Sequence, residues 1–215
     1  MTEEEKPVNI TPHVAETKVE SIKEDENLTT KILISLDAYQ DINCIITNCG
    51  DNEIGWLGTV KVIDGNQFLI EKIFIPYQDT SYGHCEFSKE LLGKFYTDML
   101  KKDKENRTLL NSIMFWGHLH PGNDVDPSGQ DDDQMEIFSN NKFFIRGIFG
   151  REGMAKFDIF NYSTGVKIID VPWQLYIPED PKRKEFILKE IKTKVKEEKF
   201  TYVRAYPGYK GGLIE

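Results

Sequence analysis

Ser112-Ile113-Met114-Phe115-Trp116-Gly117-His118-Leu119-His120-Pro121, followed after a short loop by Pro127-Ser128-Gly129-Gln130-Asp131, decides how the rest of the chain reads. The run from Ser112 to Trp116 is short and apolar, the pattern of a buried strand. If the strand continues to the histidines, His118 and His120 are two residues apart and share one face. Their imidazoles then converge on one spot. Pro121 stops the strand, a Pro/Gly/Asn/Asp loop follows, and Ser128 is the expected cap of a helix.

Upstream, Lys31-Ile32-Leu33-Ile34 reads as a first strand. A helix opening at Ser35 or Asp37 follows, with Leu36, Tyr39, Ile42, Ile45, Ile46 and Cys49 on one face. Residues 53–62 and 67–75 form a hairpin around Asp64-Gly65. Gly55 and Gly58 inside its first strand imply a close approach to the backbone. Residues 77–88 read as a polar loop with His84 and Cys85, and Ser88 caps a helix carrying Leu91, Leu92, Phe95, Met99 and Leu100 inward. Downstream, 142–150 and 154–162 pair as strands, 166–170 forms a last strand, and Pro172, Pro178 and Pro181 mark a linker. A charged helix over 182–199 shows a narrow stripe of Phe186, Ile187, Ile191 and Val195.

These elements predict a mixed α/β fold, a largely antiparallel sheet flanked by helices. Three parts are expected: residues 1–30 as an acidic flexible tail, 31–170 as the domain, and 171–215 as linker, helix and tail. The first 27 residues hold eight acids against three lysines and no aromatic residue, too little apolar surface to offset ordering entropy. Gly211-Gly212 near the other end has the look of a modifier tail, a weak signal.

Composition excludes some functions. A formal charge of −9 argues against nucleic acid as the main partner. No apolar run has the length of a membrane span, and Met1–Glu5 lacks the pattern of a signal peptide. Cys44, Cys49 and Cys85 have no metal-type spacing and read as reduced thiols, hence a cytoplasmic location. The oligomeric state is left open.

His118 and His120 offer two nitrogens, and the loop offers Asp124, Asp126, Asp131, Asp132 and Asp133. A catalytic zinc takes three protein ligands and leaves one position open. Asp131 lies three residues past the expected cap, in a first helical turn that can face the strand end. The plain alternative is a capping box of Ser128 and Asp131.

His118-x-His120, seven residues, Ser128, two residues, then Asp131 is similar to the signature of the JAB/MPN/JAMM metalloproteases, in the compact form found in bacteria and their phages. Pro121, Pro127 and Trp116-Gly117 agree, as does Glu53 ahead of Gly55-Trp56-Leu57-Gly58, where the family carries a glutamate before a Gly-x-Leu-x-Gly-like strand. The resemblance spans about residues 31–170. It implies a cytidine-deaminase-like arrangement and one zinc per chain on His118, His120 and Asp131. It implies a bound water with its pKa lowered to about 7, Glu53 as general base and Ser128 as an oxyanion donor. The implied activity is hydrolysis of a peptide or isopeptide bond in a polypeptide or ubiquitin-like substrate, with Trp56, His84 and Trp116 expected beside it. Leu119 stands where many members have serine, and no long ubiquitin-gripping insertion is visible. The competing expectation is a JAB-fold scaffold or binding module without turnover. Gly117-His118-Leu119-His120 also resembles the Gly-His-x-His of calcineurin-like phosphoesterases, but the upstream elements of that family are missing.

Overall fold

The computed structural model describes residues 29–102 and 106–196. The expected acidic tail, up to residue 28, and Gly211-Gly212 lie outside the described residues. The chain divides into two compact units, 1–176 and 177–215.

In the first unit, β1 (Lys31–Ser35) runs directly into α1 (Leu36–Asn48). Ser35 is the cap, its hydroxyl accepting from the Ala38 N–H at 3.1 Å. Ala38, Ile42 and Ile46 form the buried face, while Leu36, expected inside, is exposed. The hairpin is β2 (Ile54–Ile63) and β3 (Gln67–Phe74). The expected polar loop instead contains a small hairpin, β4 (Asp79–Ser81) and β5 (His84–Glu86). Then come α2 (Lys89–Lys102), α3 (Asn106–Asn111), β6 (Ile113–Leu119), α4 (Gly129–Glu136), β7 (Phe144–Phe149), β8 (Ala155–Asn161), β9 (Val166–Ile168) and β10 (Trp173–Tyr176).

Eight strands form one mixed sheet in the order β10-β1-β3-β2-β6-β7-β8-β9. It is less antiparallel than expected: β10–β1, β1–β3 and β6–β7 are parallel. The reason is connectivity. α4 carries the chain from β6 to a parallel β7, and a crossover of this kind places the helix against a face of the sheet. β10 lies inside the expected linker: Pro172 precedes the strand rather than breaking it, and its carbonyl accepts from the Ile32 N–H at 2.9 Å. The Val171 N–H donates to the Phe157 carbonyl at 2.8 Å, so this segment links β8 to β1 and the sheet curls.

Alternation along β2 and β6 sorts their side chains. Trp56, Phe115 and Leu119 face α1. Leu57 and Trp116 face the other way, with Cys85, Phe87, Leu92 and Phe95 and with Met135 and Phe138 at and beyond α4. The expected close approaches are made by these aromatics. A Cβ on Gly58 would lie 2.7 Å from Phe115, and one on Gly117 only 2.3 Å from Trp56 Nε1.

The second unit contains α5 (Pro181–Lys194), capped by Asp180 with Pro181 in the first turn. It is shorter than predicted, and Phe186, Ile187, Ile191 and Val195 are exposed.

Candidate metal centre

β6 ends at Leu119, and its last residues alternate as the sequence implies. His118 is fully buried on the face shared with Trp116, and their rings stack at 4.4 Å and 11°. That stack fixes the plane of the imidazole. His120 lies one step past the strand, anchored by its N–H to the Phe149 carbonyl of β7 at 2.9 Å. Its ring Nδ1–H donates to the Asp124 carbonyl at 2.9 Å, which leaves Nε2 with its lone pair.

Asp131 enters from the first turn of α4. Its Oδ1 is 2.9 Å from His118 Nε2, and its Oδ2 is 3.5 Å from His120 Nε2. One ligand atom from each of the three residues lies within 4.8 Å of the others. They form a group able to hold a metal ion.

Neither ring nitrogen of His118 has a hydrogen-bond partner, although Nε2 is so near Asp131. The contact is close but poorly directed. A buried polar atom without a partner is costly. Two nitrogen lone pairs and a carboxylate converging without a directed proton between His118 and Asp131 are the donor set a divalent cation satisfies. The residues therefore fit zinc chemically, as they fit other imidazole-binding metals.

Electrostatics follow from burial and proximity. Burial pushes His118 below its ordinary pKa and keeps it neutral. His120 is raised by Asp131 beside it. Burial works to raise Asp131, but the two histidines and the Ser128 N–H outweigh it and hold the carboxyl well below the usual range.

Ser128 realises the capping box. Its N–H donates to Asp131 Oδ2 at 2.6 Å, its hydroxyl donates to the same oxygen at 2.8 Å, and the Asp131 N–H donates back to the hydroxyl at 3.3 Å. Capping and ligand orientation are thus one arrangement.

Glu53 immediately precedes β2. Gly55 pairs with His118 and Ile54 with Leu119, so the backbone brings Glu53 to the level of His120. Burial raises its pKa, with His120 and His84 opposing and Asp131 adding to the rise. The carboxyl therefore senses His120 and Asp131. Two contacts missed from the sequence hold this strand end. The Glu53 N–H donates to the Ser81 carbonyl at 3.0 Å. The Gln78 amide accepts from the Gly55 N–H at 2.7 Å and donates to its carbonyl at 2.9 Å, continuing the ladder past the end of β3. A glutamine in a polar loop carries no local signal of that role.

The substrate-facing residues fare differently. Trp56 and Trp116 are 0% and 1% exposed, core residues rather than a substrate surface. Trp56 packs on Phe149 and Trp116 on His118. His84 is half-exposed on β5, with Nδ1 2.6 Å from the side-chain nitrogen of Gln130, the residue before Asp131. Cys85 is buried, its thiol pushed up to about 12, and is no nucleophile at neutral pH. The loop between His120 and Ser128 is fastened from the β7–β8 turn. Arg151 donates to the Pro121 and Gly50 carbonyls, and Lys156 pairs with Asp126 at 2.7 Å.

No family profile matches the chain, and no curated protein does. Among solved structures, it is similar to the solution structure of protein DSY2949 from Desulfitobacterium hafniense, at 15% identity over 68% of this chain and 94% of that one, with a TM-score of 0.46. Fold and site together define a mixed α/β protein with a buried His-His-Asp group suited to a metal ion. Among the described residues, no helix is long and apolar enough to cross a membrane.

Proposed function

We propose that this chain is a zinc-dependent peptidase or isopeptidase of the JAB/MPN/JAMM kind, with the cytidine-deaminase-like arrangement that reading implies. The observation that carries it is Glu53. It lies far upstream of the histidines, yet its carboxyl senses His120 and Asp131 across the β2–β6 pairing. His118, His120 and Asp131 would hold the metal. Bound zinc supplies Lewis-acid chemistry, acidifying water and polarising an amide carbonyl. Glu53 would take a proton from the attacking water and pass it to the leaving amine, and the burial that raises its pKa suits that exchange. Ser128 now gives its hydroxyl proton to Asp131 Oδ2. To stabilise an oxyanion it must rotate, leaving its N–H to hold the carboxylate. The substrate is a polypeptide or ubiquitin-like conjugate. The three cysteines are unpaired, in keeping with a reducing, cytoplasmic setting.

Zinc content and hydrolysis of a peptide and isopeptide panel test this, with His118→Ala and Glu53→Gln alongside. His118→Ala loses the metal. Glu53→Gln keeps it and loses on the order of 10²–10⁴ in rate. Full activity in Glu53→Gln would sink the mechanism. The alternative, a JAB-fold binding module, draws on the commitment of the Ser128 hydroxyl to the capping box, and it expects no zinc in the parent protein, or zinc without turnover of any substrate in the panel.

A further inference from the structure

We propose that Arg146 and Asp132 are positioning residues for the metal centre, fastening the first turn of α4 so that Asp131 is held at the histidines. This rests on the metal-binding reading above. Arg146 stands on β7, paired across the sheet with Trp116 on one side and Asp158 on the other. Trp116 in turn stacks on His118, so the guanidinium occupies the row beside the metal ligands. Its side chain is 1% exposed. One end donates to Asp158, the other to Asp132 Oδ1 at 2.7 Å, and its Cζ lies 5.2 Å from the Phe160 ring.

A buried cation carries a desolvation cost of several kcal/mol, so its partners show its use. Asp158, itself buried, is enough to balance the charge. Asp132 is different. Its side chain is 57% exposed, and it is the residue after Asp131. Its Oδ1 also takes a longer contact from the part-exposed Lys167 of β9 at 3.4 Å, but the shorter bond to buried Arg146, which adds little to neutralisation, is the one that ties the helix turn bearing Asp131 to the strand beside His118. α4 is only eight residues long, too short to hold its own register. Outer contacts that orient a ligand change metal affinity by about 10–100-fold when removed.

The test uses the metal-free full chain, zinc and a competing chelator, with melting of each metal-free protein recorded by circular dichroism. The variants are Asp132→Ala, Asp132→Asn and His118→Ala. Asp132→Ala weakens zinc binding roughly tenfold or more while the metal-free protein melts as the parent does. Asp132→Asn, which keeps an oxygen for Arg146 but loses the same charge at the helix start, binds close to the parent. Asp132→Ala as tight as the parent, with His118→Ala binding none, would overturn the tether and leave the metal reading standing. Equal weakening in Ala and Asn would also overturn it, since the loss is then one of charge. A parent that binds no zinc overturns both.

Discussion

Two polar clusters lie side by side on the same face of the sheet, and adjacent residues of α4 serve them. Asp132 belongs to the cluster of Arg146 and Asp158, and Asp131 to that of His118 and His120. In the first, Arg146 meets two carboxylates in directed contacts, Lys167 also reaches Asp132, and only the Arg146 Nε lacks a partner. In the second, neither ring nitrogen of His118 makes a hydrogen bond, and one carboxylate faces two imidazoles. Each has a buried centre, Arg146 with Asp158 in one and His118 with Asp131 in the other. What separates them is whether the charges already present complete one another. The arginine cluster balances its charge with its own residues; the histidine cluster is a group that could take a cation from outside.

That contrast breaks most visibly at Arg146. Arg146→Met strands Asp158 as a buried charge, and denaturant unfolding of the metal-free protein should fall by about 3–5 kcal/mol. His118→Ala should cost the metal-free fold less than that. Its effect appears with zinc: at a hundredfold excess over Kd, bound metal stabilises the parent by about 2.7 kcal/mol, and thermal unfolding should show that gain vanishing in the variant. If His118→Ala keeps the zinc-dependent gain, the two clusters do not differ as described.

Smaller effects sharpen the picture. Gly117→Ala drives a methyl into Trp56 on the face away from the histidines, and overpacking of that kind costs roughly 1–3 kcal/mol. Chemical denaturation checks it, and zinc affinity should move little. The smallest effect concerns pH. Burial raises Glu53 above its unfolded pKa, so its favourable contribution is present at low pH and is lost as pH rises through the folded pKa. At neutral pH the ionised carboxyl is a slight burden on the metal-free fold. Glu53→Gln should therefore melt slightly higher than the parent at pH 7, and the difference should shrink toward acid. A lower melting point at pH 7 would mean that the carboxylate is stabilising instead.

Some of the site was legible because it is local. His118 and His120 share a face for the simple reason that a strand alternates, and Ser128 and Asp131 meet because a helix cap sets that spacing. Glu53 carried no local signal; only a family resemblance singled it out. Arg146 was invisible, since Phe144-Ile145-Arg146 reads as a strand with one polar residue, and nothing nearby says which face it takes. Trp56 and Trp116 were misplaced for a related reason. An aromatic beside a histidine suits a substrate wall and a core equally well, and packing alone assigns it.

The sequence by itself determined the types of the longer elements, the two histidines at one strand end, and the capped turn that carries Asp131, because periodicity and capping act within a few residues. Tertiary structure decided the rest. The crossover through α4 made β6 and β7 parallel, and β10 entered the sheet from what read as a linker. Antiparallel pairing of β2 with β6 brought Glu53 to the histidines, and β7 set a buried cation beneath Asp132. These are contacts between residues distant in the chain, fixed by which strands lie next to each other, and no local pattern encodes that order.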